Sequence, residues 1–136
     1  MRIGAQADVA DTEATRDACR AIQWLVSALS SIEPHIMNVA AVELFFADQE
    51  WAKQRRAGAR EFAQHRLNCL ATALADKPYL DGERFTAGDL MMTTVLRIIP
   101  ELVEDERLAA YVERCTARPA FQRAYEAQMG DFRDAA

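Results

Sequence analysis

The stretch Ser27, Ser30, Ser31, Glu33 and His35, gathered around Pro34, is where the sequence concentrates groups able to do chemistry. Hydroxyls donate and accept, a carboxylate and an imidazole exchange protons, and the proline interrupts the helical hydrogen-bond ladder beside them. A break of this kind reads either as the lining of a ligand pocket or as a solvent-facing turn. Ser30, Ser31 and His35 are the candidate binding residues, and no residue is given a catalytic role.

Elsewhere the reactive side chains are scattered. Cys19, Cys69 and Cys115 are odd in number and lack CxxC spacing, so neither a disulfide framework nor a redox pair is expected. A reducing, cytoplasmic setting fits them. His35 and His65 show no HExxH or related spacing, and there is no Gly-rich phosphate loop, so neither a bound metal nor a cofactor is expected in this chain. Each cysteine lies near an apolar stripe and reads as a small hydrophobe, and Trp24 and Trp51 read as packing anchors. The basic residues Lys53, Arg55, Arg56, Arg60 and Arg66 keep company with Glu50 and Glu61 and read as a solvated helix face. A net charge of -5 argues against a nucleic-acid partner. No uninterrupted apolar run approaches the roughly 20 residues of a membrane span, and none resembles a signal peptide, so no membrane partner is expected.

The elements that carry these residues are helical. With 136 residues, 51% of them apolar and 27% charged, the chain reads as one globular domain. A lead-in over 1–12, ending at Asp11 or Thr12 as a helix cap, precedes a helical domain over 13–130 and a tail over 131–136. Ile22, Leu25, Val26, Leu29, Ile32, Ile36 and Val39 share one face of a helix over about 13–46, with a kink or restart expected at Pro34. Asp48 caps a second helix that places Ala59, Phe62, Ala63, Leu67, Leu70 and Leu74 on one stripe and stops at Asp76-Lys77-Pro78. After a turn at Asp81-Gly82, Thr86 and Asp89 are spaced as a capping box, with Phe85 placed to staple onto Leu90, and this marks Asp89 as a folding residue rather than a catalytic acid. The helix they start, over about 86–99, is apolar on almost every side and is expected at the centre. Helices over about 105–117, with Leu108, Tyr111, Val112 and Cys115 inward, and 119–129, with Phe121, Ala124 and Tyr125 inward, complete an all-α bundle of five.

The segment Tyr79-Leu80-Asp81-Gly82-Glu83-Arg84-Phe85-Thr86-Ala87-Gly88-Asp89, then Val95-Leu96-Arg97 and Ala117-Arg118-Pro119-Ala120-Phe121, closely resembles the C-terminal helical domain of bacterial glutathione transferases. The likeness covers about residues 13–130, with the five helices in the family's order. Gly88 stands where the family usually has Ala, a change expected to weaken the first turn by less than about 1 kcal/mol. The resemblance implies a partner domain of thioredoxin-like fold that binds glutathione and activates its thiol. That domain has no counterpart in this sequence, so glutathione is implied as co-substrate only where such a domain is present. It further implies that the helical domain forms the hydrophobic co-substrate wall and much of a homodimer interface, with Ser30 and Ser31 at the polar positions of the first helix that face the cleft. The alternative is a stand-alone helical module that binds a protein or an apolar small molecule without catalysis.

Overall fold

The computed structural model describes residues 13–134, so the lead-in over 1–12, with Asp11 and Thr12, lies outside the described residues. Among the described residues the fold is all-α, with five helices: α1 (Glu13–Phe45), α2 (Glu50–Leu74), α3 (Ala87–Leu96), α4 (Glu106–Thr116) and α5 (Pro119–Asp134). A 3-10 turn, Pro100–Leu102, follows α3.

Pro34 does not break α1. The turn before it widens instead: over Ala28–Ile32 the chain is a π-helix, and the Glu33 N–H reaches back five residues to the Ala28 carbonyl. Widening the turn that precedes the ring relieves its clash with the carbonyl one turn back. A second wide turn, Ala41–Phe45, ends the helix, where the Phe46 N–H bonds to the Ala41 carbonyl at 2.9 Å. A residue added to a turn shifts the buried face that follows by roughly 100°. The sequence stripe therefore divides. Ala28, Ile32, Ile36, Val39, Ala40 and Val42 are buried, whereas Ile22, Val26 and Leu29, expected inward, are 60%, 51% and 40% exposed. An 18-residue window of α1 has a mean hydropathy of 1.2, which is apolar and long enough to cross a bilayer, although no uninterrupted apolar run is. In the fold its buried stripe is spent on α2 and α3.

The α3 helix packs chiefly on α1, and also on α4. It is shorter than its apolar pattern: Arg97, Ile98 and Ile99 leave the helix because the residue before Pro100 is pushed out of helical geometry. Met92, Thr93, Val95 and Leu96 are buried, but Leu90 and Thr94 are exposed, so α3 is central on all sides but one. The missing cover is α5, which extends to Asp134 and packs mainly on α4. Ala124 and Tyr125, expected inward, are exposed.

At Gly88 the backbones of α1 and α3 approach closely. A Cβ added there would stand 2.5 Å from the Trp24 Cβ and 3.2 Å from the Ala21 carbonyl oxygen. The glycine is thus required by the crossing, beyond the small propensity loss expected from sequence.

Asp89, three residues into the helix region begun at Thr86, is fully buried. Its Oδ2 accepts from the Thr86 N–H at 2.8 Å and the Thr86 hydroxyl at 3.0 Å, and its Oδ1 accepts from the Leu80 N–H at 2.8 Å and the Tyr111 hydroxyl at 3.1 Å. Burial, with the Asp89 charge beside it, pushes the Tyr111 phenol far above its ordinary range. The turn preceding α3 carries Gly82 at φ 83° and is tied to α1 by the ion pairs Arg20 to Asp81 and Arg84 to Asp17, each at 2.6 Å, while Arg84 to Asp81 at 2.6 Å within the turn and Arg20 to Asp17 within α1 complete the network. The Arg84 guanidinium, through its hydrogen bonds, holds the Asp17 and Asp81 carboxyls below their ordinary value.

Three outcomes follow from this packing. Asp89→Ala leaves the Leu80 and Thr86 N–H groups and the Tyr111 hydroxyl buried without their acceptor and is expected to cost about 3 kcal/mol or more in urea unfolding, against about 1 kcal/mol for Thr86→Ala. Gly88→Ala is expected to destabilise by about 1–3 kcal/mol despite the better helix propensity of alanine, because α1 and α3 must move apart; a gain in unfolding midpoint would contradict the close approach. Because the folded carboxyls of Asp17 and Asp81 lie below their unfolded value of about 3.9, their contribution is present above that pH and is lost as pH falls through the lowered folded values. The difference in Tm between the parent and Asp81→Asn is accordingly expected at neutral pH and to narrow as pH falls below about 3.9.

Candidate functional site

The residues marked from sequence are held by the wide turn in α1, and they do not form one cluster. The Ser30 hydroxyl, exposed, donates to the Val26 carbonyl at 2.8 Å and lies 3.5 Å from the Ser31 oxygen. It thereby serves its own helix, giving a donor to a carbonyl at the edge of the widened turn. Ser31, half-buried, lines a cavity of about 240 Å³ between α1 and α2, with Trp24, Ser27, Arg66 and Cys69. His35, one turn further on and half-buried, is not among the residues of that cavity.

Sequence spacing had no means of bringing Cys69 and Arg66 to Ser31, because they come from the last turns of α2. His65 stands one turn before Cys69 on the same face, its Nε2 4.0 Å from the thiol sulfur. That is a loose contact, and it joins the groups nearest to a nucleophile and base among the described residues. Cys115 is of another kind: burial pushes its thiol up, and it serves as core beside Tyr111 and Thr93. All three cysteines are free. Among the described residues no group of three or more His, Cys, Asp or Glu side chains is placed to hold a metal ion.

A larger cavity, 330 Å³, opens between α3 and α5 and was not marked from sequence. Its α3 wall is the stripe Leu90, Thr94 and Arg97, and its α5 wall is Phe121, Ala124 and Tyr125. Phe85 closes one end, packed edge-on against Tyr79 with ring centres 5.5 Å apart. The signal available in the sequence was the arginine at each end of the apolar elements, Arg97 after α3 and Arg118 before α5, but spacing alone does not show that they face one space.

A third surface feature lies where α1 ends. Leu44, Phe45, Phe46 and Trp51 are all exposed, with Phe46 and Trp51 in ring contact at 5.5 Å, and Phe62, three turns further along α2 beside Asn38, is exposed as well. Arg60 fastens α2 to the end of α1 through a bidentate pair with Glu43, at 2.5 and 2.7 Å, and this holds the Glu43 carboxyl below its ordinary value.

Residues 32–119 match the family described as the glutathione S-transferase C-terminal domain. No curated protein matches the chain. Among solved structures, a glutathione S-transferase from Pseudomonas fluorescens Pf-5 superposes with a TM-score of 0.68 over 79% of this chain, at 20% sequence identity, a likeness of fold. The chain spans 56% of the length of that transferase. The family match takes in α1 from Ile32 onward with its second wide turn, all of α2, the Asp89 cluster and α4, and the chain therefore belongs to the glutathione S-transferase C-terminal domain family.

Proposed function

We propose that this helical domain supplies the co-substrate wall and the subunit interface of a glutathione transferase, acting with a thioredoxin-like domain that binds glutathione and activates its thiol. The observation that carries this reading is the apolar side of α1 left uncovered: Ile22, Val26, Leu29 and Met37 are exposed along the helix, and Leu44 and Phe45 continue the surface at its end, 64% and 65% exposed. An uncovered apolar surface of that extent is the mark of an interface or a ligand wall rather than of a monomer's ordinary exterior.

The two roles fall on different parts of it. The middle of α1, with Ser30, Ser31 and His35 beside Val26 and Leu29, forms the wall for an apolar electrophile, the hydroxyls and imidazole supplying a few polar contacts in an otherwise apolar surface. The aromatic end, Phe45, Phe46, Trp51 and Phe62, on the first two helices, meets a second copy of the chain. Conjugation needs a thiolate held beside its electrophile. The Ser30 hydroxyl donates to the Val26 carbonyl and lies beside the Ser31 hydroxyl rather than beside a base, so thiol activation is assigned to the thioredoxin-like domain. The three free cysteines accord with a cytoplasmic setting.

Sedimentation at tens of micromolar is expected to show a dimer that Phe45→Ser and Phe62→Ser together convert to monomer; a strict monomer in the parent chain would remove the interface assignment. The purified chain is expected to show no glutathione binding by calorimetry at millimolar ligand and no conjugation of a model electrophile above the uncatalysed rate. Turnover by this chain alone, abolished by a change at Ser30 or Ser31, would place a complete site within these helices and overturn the division of labour.

A further inference from the structure

The last turns of α2 carry an imidazole and a thiol that take no part in the core. His65 and Cys69 are both exposed and four residues apart, so they lie one above the other on the same side of the helix, with the His65 Nε2 4.0 Å from the Cys69 sulfur. That separation is long for a strong hydrogen bond. As one edge of a metal ion's coordination shell it is close to the right length. A tetrahedral ion held about 2.0–2.1 Å from nitrogen and about 2.3 Å from sulfur sets those two atoms roughly 3.5 Å apart, and a small rotation of either side chain closes the difference. The same spacing on one helix face is what lets the two histidines of an HExxH helix share an ion. Here a thiol takes the place of the second imidazole, so the want of a histidine pair left the position unmarked in the sequence.

The donor set decides the class of ion. One imidazole nitrogen and one thiolate sulfur suit a soft or borderline cation such as Zn²⁺ or Cd²⁺, and not Mg²⁺ or Ca²⁺, which take oxygen. Glu61 lies a further turn back along α2, but among the described residues no three His, Cys, Asp or Glu side chains converge, so the chain supplies two ligands and water supplies the rest. There is room for that water. Cys69 lines the cavity of about 240 Å³ between α1 and α2, whose wall includes Ser27 and Ser31, and hydroxyls hydrogen-bond to metal-bound water. The backbone under both ligands is helical, within Glu50–Leu74, so their spacing is set before the ion arrives and little order is lost on binding.

We propose that His65 and Cys69 form a two-point chelate for a soft divalent cation of the zinc group. On binding, the Cys69 thiol gives its proton to solvent and its sulfur bonds the ion, the His65 Nε2 supplies its lone pair, and no electron is transferred. Neither ligand belongs to the wall or the interface of the preceding reading, and the site does not depend on it.

The test titrates CdCl₂ into the full chain, fully reduced and then freed of reductant, and follows the thiolate-to-cadmium charge-transfer absorbance in the ultraviolet. A band that saturates at one ion per chain is expected, with ZnCl₂ displacing the cadmium and MgCl₂ in large excess leaving it in place. Cys69→Ser is expected to remove the band, and Cys19→Ser, at the other exposed thiol, to leave the affinity within about twofold. His65→Ala is expected to weaken binding by about tenfold or more, and His65→Cys, which restores a soft ligand at the same spacing, to recover it. Both positions are exposed, so circular dichroism is expected to be the same in every variant. A band that survives in Cys69→Ser would overturn the proposal by placing the ion at another thiol. An affinity in His65→Ala within about twofold of the parent would overturn it too, since the thiol would then bind alone, and displacement by MgCl₂ would overturn the donor set.

Discussion

A single buried carboxylate holds the domain's parts in register. An ionised carboxylate taken out of water costs several kcal/mol unless its oxygens are met by donors. Asp89 has four, two on each oxygen, and they come from three stretches of chain: Leu80 in the turn before α3, Thr86 at the start of α3, and Tyr111 in the middle of α4. The turn, the helix start and the rotation of α4 are therefore set together, because moving any one of them strands a donor or an acceptor away from water. Tyr111, itself buried, has the same interest in the arrangement as Asp89 does. The ion pairs from Asp17 and Arg20 to Asp81 and Arg84 then fasten that unit to α1 from the outside, in more exposed surroundings where each pair is worth less.

The second organising feature is the uneven winding of α1. A regular helix with this sequence would turn its apolar residues to one side. Two wide turns divide them between a side that packs on α2 and α3 and a side that is left open, so the same helix serves both as core and as an exposed surface. The close crossing at Gly88 and Trp24 shows how tightly the packed side is fitted.

Legibility in the sequence followed distance along the chain. The contact between Thr86 and Asp89 is local, three residues apart, and was readable from spacing. So were the five helices in order, since each announces itself by its own apolar period and its own stop. Pro34 marked an irregularity, but its form, a widened turn rather than a kink, and the resulting rotation that exposes Ile22 and Val26 depend on how α1 meets its neighbours. Tyr111 and Asp89 are 22 residues apart, and nothing in either's surroundings announces the pairing. The same holds for the sites. Ser31 was visible as a polar residue near a break, but Cys69 and Arg66, which share its cavity, come from another helix. The groove between α3 and α5 was hidden because Phe121 and Tyr125 carry the spacing of core residues and become cavity wall only because α5 stands off from α3.

That stand-off has a dynamic consequence. None of residues 119–133 is fully buried, and α5 is held mainly by α4. A helix with so little buried apolar surface belongs to the low end of the local stability scale, so it opens and recloses far more often than the core unfolds. One wall of the groove is rigid, being the back of the Asp89 unit, and the other breathes. The width of the groove is then a population average rather than a fixed dimension, and anything that fills it tightens the last helix onto the bundle and draws the end of the chain into the cooperative unit.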